Sequence, residues 1–147
     1  MADLYFEDIE EGQRRELGSY TVPKDEMMEF ARRYDPQPIH VDEEAARDSI
    51  FGGVIASGWY TASVCMRLLA DEFLNKAASM GALGLDELRW QNPVRAGDTL
   101  TASNEILETR PSESRDDRGY VRNKTVAHNQ DGEEVLVWVA TNIFASN

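Results

Sequence analysis

The sequence predicts an α+β fold in which an antiparallel sheet is covered by one long apolar helix. Helix-period segments fill the first half of the 147 residues, and period-two segments rich in β-branched and aromatic residues fill the second. Helices followed by a meander of long strands, rather than alternating with them, is the order expected of α+β proteins. A sheet of that size must bury one face, and only the long helix is large enough to cover it.

The elements follow in chain order. A first strand is expected at 19–22. Residues 24–34 place Met27, Phe30, Ala31 and Tyr34 at the i, i+3, i+4, i+7 spacing of an amphipathic helix. Pro23 suits its start and Pro36 ends it, so Asp35 falls at the C-terminal exit. Asp42 reads as the N-cap of a short helix over Glu43–Arg47. Phe51-Gly52-Gly53 is a loop, and Ser57-Gly58 opens a long helix expected to run to about Met80. Its stripe of Trp59, Ala62, Met66, Leu69, Phe73 and Ala77, widened by Val64, Cys65 and Leu68, predicts a helix surrounded by protein, with Trp59 in the core. After Gly81 the period changes to two. Strands are expected at 82–91, 98–110, 119–129 and 133–145, with a charged loop at 112–118 and an Asp131-Gly132 turn.

Composition narrows the function classes. The length suits one domain spanning 1–147. The longest apolar stretch, beginning near Val54, is broken by Arg67, Asp71 and Glu72, so no membrane span is expected. The acidic N-terminus lacks the basic-then-apolar order of a signal peptide, which points to the cytoplasm. Cys65 is the only cysteine, which excludes an intrachain disulfide and a cysteine metal cluster. A net charge of −12 argues against duplex nucleic acid as a partner, and an anionic ligand would need a local basic patch. Twelve arginines and three lysines stand beside 27 acidic residues. That balance reads either as a salt-adapted surface of hydrated carboxylates or as an ordinary acidic protein. Stability that rises with added salt marks the first, and a maximum in low salt the second.

The chemistry concentrates in Tyr34-Asp35-Pro36-Gln37-Pro38-Ile39-His40. Each proline fixes its own φ and pushes the preceding residue away from helical geometry, so the span is expected to run extended. A carboxylate and an imidazole converging on one small volume can hold and activate a water molecule. The same residues also have plainer readings, Asp35 satisfying backbone groups at a helix exit and His40 as a structural histidine. A metal trio of Asp35, His40 and Asp42 matches no closed zinc pattern. His128, on a polar strand near a turn, reads as a surface residue.

Three segments carry a family resemblance. Asp35-x-Gln37-Pro38-Ile39-His40 resembles the hydratase motif Asp-x-Asn-Pro-x-His of the MaoC-like dehydratases and (R)-specific enoyl-CoA hydratases. The run from Phe51 to Trp59 is similar to that family's loop into its long helix, and the run from Leu88 to Leu100 to its strand–Pro-Val–Gly-Asp–strand element. The segments occur in the family's order, between about Val22 and Phe144. Gln37 stands where the family usually has Asn, and Ser57 where many members have His.

The resemblance implies a hot-dog fold, a homodimer, and reversible (R)-specific hydration of α,β-unsaturated acyl-CoA thioesters without metal or redox cofactor. Asp35 and His40 would share the acid–base work, and the Gly58 N–H at the helix start would hold the enolate oxygen. An ordinary helix-start glycine is the equal alternative for Gly58. Ser57, Gln37 and Trp59 would complete the substrate site, with Trp59 walling the acyl pocket. Arg95, Arg118 and Arg122 are candidates for the nucleotide phosphates, or else solvated or interface charges. A hot-dog thioesterase releasing free thiol and a non-catalytic acyl-binding module are the competing functions. Acyl length, CoA against acyl-carrier protein, and direction stay open.

Overall fold

Buried and exposed residues alternate along 99–107 and 118–128, the middle of the sheet. The computed structural model describes residues 2–147. Its strands are β1 (Arg14–Thr21), β2 (Ser79–Arg89), β3 (Thr99–Pro111), β4 (Arg118–His128) and β5 (Glu134–Ala145). They form one sheet in the order β1-β3-β4-β5-β2, with every neighbouring pair antiparallel. In β4 the period of two is complete, with Gly119, Val121, Asn123, Thr125 and Ala127 buried between partly exposed neighbours. The turn between β4 and β5 closes where Gly132 N–H donates to the Asn129 carbonyl, 3.1 Å. Gly132 has φ +79° there, which a side chain would oppose.

The helices are α1 (Lys24–Tyr34), the short α2 (Pro38–Val41) and α3 (Glu43–Arg47), and α4 (Gly58–Glu72). The sheet wraps α4 in the hot-dog arrangement that the resemblance implies. Tyr60, Val64, Cys65 and Leu69 of α4 join Leu100, Ile106, Val121, Leu136 and Phe144 of the sheet in one core. A row of buried amides crosses the sheet's inner face. Asn104 Nδ2 donates to Asn123 Oδ1 and Asn123 Nδ2 to Asn142 Oδ1, both at 2.9 Å. The donors of this row are satisfied, whereas the Asn104 Oδ1 at its end has no partner among the described residues.

The first strand, expected at 19–22, begins five residues earlier and runs Arg14–Thr21, and three further expectations need correction. First, α4 ends at Glu72 rather than near Met80, and β2 has begun by Ser79. Phe73 leaves helical geometry at φ −130°, ψ −63°, and its buried ring stacks on Phe144 with centroids 5.6 Å apart. The following residues are captured by the N-terminal segment, where Asp3 N–H donates to Lys76 O and Ala78 N–H to Leu4 O, both 2.8 Å. Second, the apolar stripe divides. Leu69, Phe73 and Ala77 are core, but Trp59 is 56% exposed and Met66 46%. Trp59 is therefore not a core residue. A helix apolar on most sides gives hydropathy little means of choosing the face that meets the sheet. Third, the motif runs extended only as far as Gln37 (φ −69°, ψ 145°), and His40 sits on the helical turn of α2. Pro38 at the first helical position has a φ that suits a helix as well as an extended chain.

The Cys65 thiol lies fully buried against this core, and burial pushes its pKa up to about 12. The division of the stripe yields a stability contrast. Leu69→Ala should destabilise by about 2–5 kcal/mol, whereas Met66→Ala should stay within roughly 0.5 kcal/mol. Denaturant unfolding of the two variants checks it, and equal losses would contradict the exposed placement of Met66.

Candidate active site

Three backbone segments converge at the N-terminus of α4. Asp35 is the C-cap of α1, its N–H donating to Ala31 O. His40 rides on α2. Ile55 sits between them and α4, donating its N–H to Ile39 O (3.1 Å), and Ala56 N–H donates to Val94 O (2.7 Å). Ser57 then caps α4, its Oγ accepting from Trp59 N–H at 3.2 Å.

The same Ser57 hydroxyl donates to Asp35 Oδ2 at 2.7 Å. The carboxylate's other oxygen accepts from Gln37 Nε2, also at 2.7 Å. His40 Nε2 lies 3.3 Å from Asp35 Oδ2, and His40 Nδ1 lies 2.8 Å from the Ile55 carbonyl. A carbonyl oxygen only accepts, so Nδ1 carries the proton in this contact. In that tautomer Nε2 is the ring nitrogen left to accept a hydrogen bond beside Asp35. The Gln37 amide, helped by the Ser57 hydroxyl and the His40 ring against the opposing effect of burial, holds the Asp35 carboxyl below its usual range. A carboxylate oxygen and a neutral Nε2 both accept hydrogen bonds. The two atoms are too close for a water between them, but one water seated beside both can donate to each.

The pair faces a cavity of about 400 Å³, a suitable size for a small ligand. Asp35, Gln37, His40, Gly58 and Trp59 all line it. Ser57 does not; it is fully buried and reaches the cavity only through Asp35, which corrects its expected place among substrate contacts. The Gly58 N–H belongs to the first turn of α4, whose amides have no acceptor within the helix. Gly58 has a packing requirement as well. A Cβ there would lie 2.4 Å from the Trp90 indole, whose Nε1 donates to Gly58 O at 2.8 Å.

Trp90, Ile55 and Phe51 of the cavity wall were not singled out from the sequence. All three lie within the two longer resemblance segments, but their place in the wall depends on contacts distant in the chain. Of the three arginines, Arg95 donates to the carbonyl of Phe51 in the cavity wall (2.6 Å), while Arg118 pairs with Asp117 and Arg122 with Asp86. Asp42 is occupied as the N-cap of α3, accepting from Glu44 and Ala45 N–H, so the trio with Asp35 and His40 is not assembled. His128 is half-exposed, 3.9 Å from Glu134 across the strand pair.

The family model described as "MaoC like domain" matches residues 7–129, which reaches further toward the N-terminus than the three motif segments. An (R)-specific enoyl-CoA hydratase of Rhodospirillum rubrum is 35% identical over 101 residues, covering 67% of this chain and 67% of that protein. The uncharacterized protein YdeM of Bacillus subtilis is 34% identical over 100 residues, covering 68% and 71%. Among solved structures, a MaoC-like dehydratase from Rhodospirillum rubrum superposes with a TM-score of 0.91 at 41% identity, covering 98% of each chain.

The donors to Asp35 set a measurable pH effect. A lowered carboxyl pKa leaves Asp35 charged below the ordinary aspartate value of about 3.9. Removing a donor raises that pKa, so Gln37→Leu and Ser57→Ala should each move the Asp35 titration to higher pH. Carbon NMR of the Asp35 carboxyl reads this without reference to activity. A midpoint that does not move would show that these hydrogen bonds do not hold the charge. Ser57→Ala should also cost about 1 kcal/mol of stability through loss of the helix cap.

Proposed function

The chain belongs to the MaoC-like domain family, and on that premise we propose that it adds water reversibly across the double bond of an α,β-unsaturated acyl-CoA thioester. The observation that carries the proposal is the shared environment of Asp35 Oδ2 and His40 Nε2, 3.3 Å apart on the wall of one cavity.

Water donates to both acceptors and its oxygen attacks the β-carbon. One proton passes to the Asp35–His40 pair as the new C–O bond forms. The π electrons move through the α-carbon to the thioester oxygen, giving an enolate that the Gly58 N–H receives. The pair then returns a proton to the α-carbon, and the thioester carbonyl re-forms. Acid–base work of this kind contributes roughly 10²–10⁴ in rate, and a positioned oxyanion donor about 2.7–4 kcal/mol. The pair is treated as one unit because closely interacting groups titrate together. (R)-stereochemistry is the family's outcome and is proposed here on that ground. No metal is invoked, and Arg95, beside the cavity wall, is the strongest of the three phosphate anchors.

A homodimer is part of the same proposal. The edge strand β2 is exposed along nearly its whole length and presents Met80, Leu83 and Leu85 to solvent. Unpaired apolar edges of this kind are otherwise hazards of aggregation. Sedimentation at assay concentration reads the assembly, and a monomer would remove this part of the proposal.

Incubation with crotonyl-CoA should bleach the conjugated enoyl absorbance without releasing free thiol. Thiol release would instead mark a thioesterase. Asp35→Asn and His40→Ala should each lower turnover by at least about a hundredfold, and the double variant should be little worse than either. Retained activity in a folded Asp35→Asn protein would overturn the mechanism.

A further inference from the structure

One hydroxyl at the N-terminal end of α4 differs from its neighbours. Ser57 Oγ meets Asp35 and the Trp59 N–H, Tyr60 donates to Glu26, and Ser63 donates to the Trp59 carbonyl. Thr61 is 2% exposed and lines the cavity of the Asp35–His40 pair, yet its hydroxyl has no hydrogen-bond partner among the described residues. The enclosed side-chain atoms that lack partners are Arg15 Nη1 and Asn104 Oδ1. Thr61 Oγ1 is not one of them, so it keeps a little surface, and the space it borders is the cavity. A polar group taken out of bulk water costs free energy until it is paired, and here the cavity's occupant is what can pair it.

Thr61 belongs to the deep side of that cavity. His40, Ile55, Ala56, Thr61 and Val94 of the lining are buried, whereas Gln37, Trp59, Trp90 and Gln91 are exposed. The nucleotide and pantetheine arm make up most of a CoA thioester and must leave by the exposed side, so the acyl end meets the buried one. There the side chains of Ile55, Ala56 and Val94 offer only hydrocarbon. Thr61 follows Ser57 by four residues, which sets it on the same helical face about 5 Å further along. Ser57 is hydrogen-bonded to Asp35, so the Thr61 side chain stands about one turn from that contact. With the β-carbon at Asp35 and His40, a substituent on the next carbon comes within reach of the Thr61 hydroxyl. It does so inside a single cavity, since Asp35, His40 and Thr61 all line it.

We infer that Thr61 is a specificity-determining residue that selects acyl chains with a neutral hydroxyl beside the double bond, making a 4-hydroxy-2-enoyl thioester the preferred substrate. This rests on the hydration reading of the site. Water adds across the double bond as in any enoyl thioester and gives the 3,4-dihydroxyacyl thioester, while the 4-hydroxyl takes no part in the bond changes. The Thr61 hydroxyl can donate to that group or accept from it. Charge decides against a carboxylate in the same place. Asp35 is held ionised on the cavity wall, and no lysine or arginine is among the described residues that line it. Arg95 lies behind the wall, engaged with the Phe51 carbonyl. A second anion would therefore meet like charge without a cation to offset it.

Two thioesters of the same shape provide the test. 4-Hydroxycrotonyl-CoA and 2-pentenoyl-CoA differ only by a hydroxyl in place of a methyl group. Loss of the enoyl absorbance gives the ratio of their kcat/KM values, and where neither is hydrated, calorimetry gives the ratio of their affinities. The wild-type protein should favour the hydroxy compound. Thr61→Val, which keeps the shape of the side chain, should lower the ratio by at least tenfold, which corresponds to about 1.4 kcal/mol. Thr61→Ser, which keeps the hydroxyl, should retain most of the preference. Fumaryl-CoA, with a carboxylate at that carbon, should be poorer than either thioester. A wild-type preference for 2-pentenoyl-CoA, or a ratio that Thr61→Val leaves unchanged, would overturn the inference even if crotonyl-CoA is hydrated. A preference for fumaryl-CoA would overturn the choice of a neutral group. A ratio lowered by Thr61→Val, with no thioester hydrated by the wild-type protein, would uphold the recognition and sink the hydratase reading. Binding of neither thioester would overturn both.

Discussion

The hydrogen bond from Ser57 to Asp35 is the constraint on which the site depends. Ser57 Oγ accepts the Trp59 N–H that begins α4 and donates to the carboxylate that ends α1. One fully buried hydroxyl thus fixes the angle at which two helices meet and the direction in which Asp35 points. His40 is oriented by a parallel device, its Nδ1 on the carbonyl of Ile55, only two residues before Ser57. Both side chains are referred to the same short stretch of backbone. A shift of that stretch moves them together, which preserves their separation.

This arrangement needs a rigid reference, and α4 supplies it by having two unlike faces. The face of Tyr60, Val64, Cys65 and Leu69 is sealed against the sheet, whose buried amide row and interdigitated apolar residues leave little freedom. The face of Trp59 and Met66 is exposed, and Trp59 at its start lines the cavity. A clamp at the outer edge keeps α1 in place, where Glu26 accepts from both Tyr20 (2.6 Å) and Tyr60 (2.7 Å). Burial and that carboxylate raise the pKa of Tyr60, so the phenol stays a donor. The carboxylate of Asp35 is consequently held at both ends of its helix and at its own oxygens.

Much of this was legible in the residue order. The bounds of α1 follow from Pro23, Pro36 and the spacing of Met27, Phe30, Ala31 and Tyr34, and α3 follows from the capping chemistry of Asp42. These are local signals, acting within one helical turn. β3 and β4 were legible for the same reason, since alternation is a property of neighbours, and β5 through its run of β-branched and aromatic residues. Where the reading failed, the deciding contact was distant. Phe144 and Leu4 end α4, and neither lies near Glu72 in the chain. Trp90 determines why residue 58 is glycine, from 32 positions away. Pro38 is compatible with two backbone shapes, and its local neighbours do not choose between them.

The sequence by itself determined the class of fold, the meander of strands, the long helix, and the presence of a carboxylate and an imidazole on one short segment. It did so because capping, proline geometry and hydrophobic period are short-range and leave their mark on adjacent residues. Tertiary structure decided which face of α4 is core, where that helix stops, that the Ser57 hydroxyl meets Asp35, and that Trp59 is exposed at the cavity wall. Those outcomes depend on close packing and on directional hydrogen bonds between segments far apart in the chain, whose distances no pattern of neighbouring residues encodes.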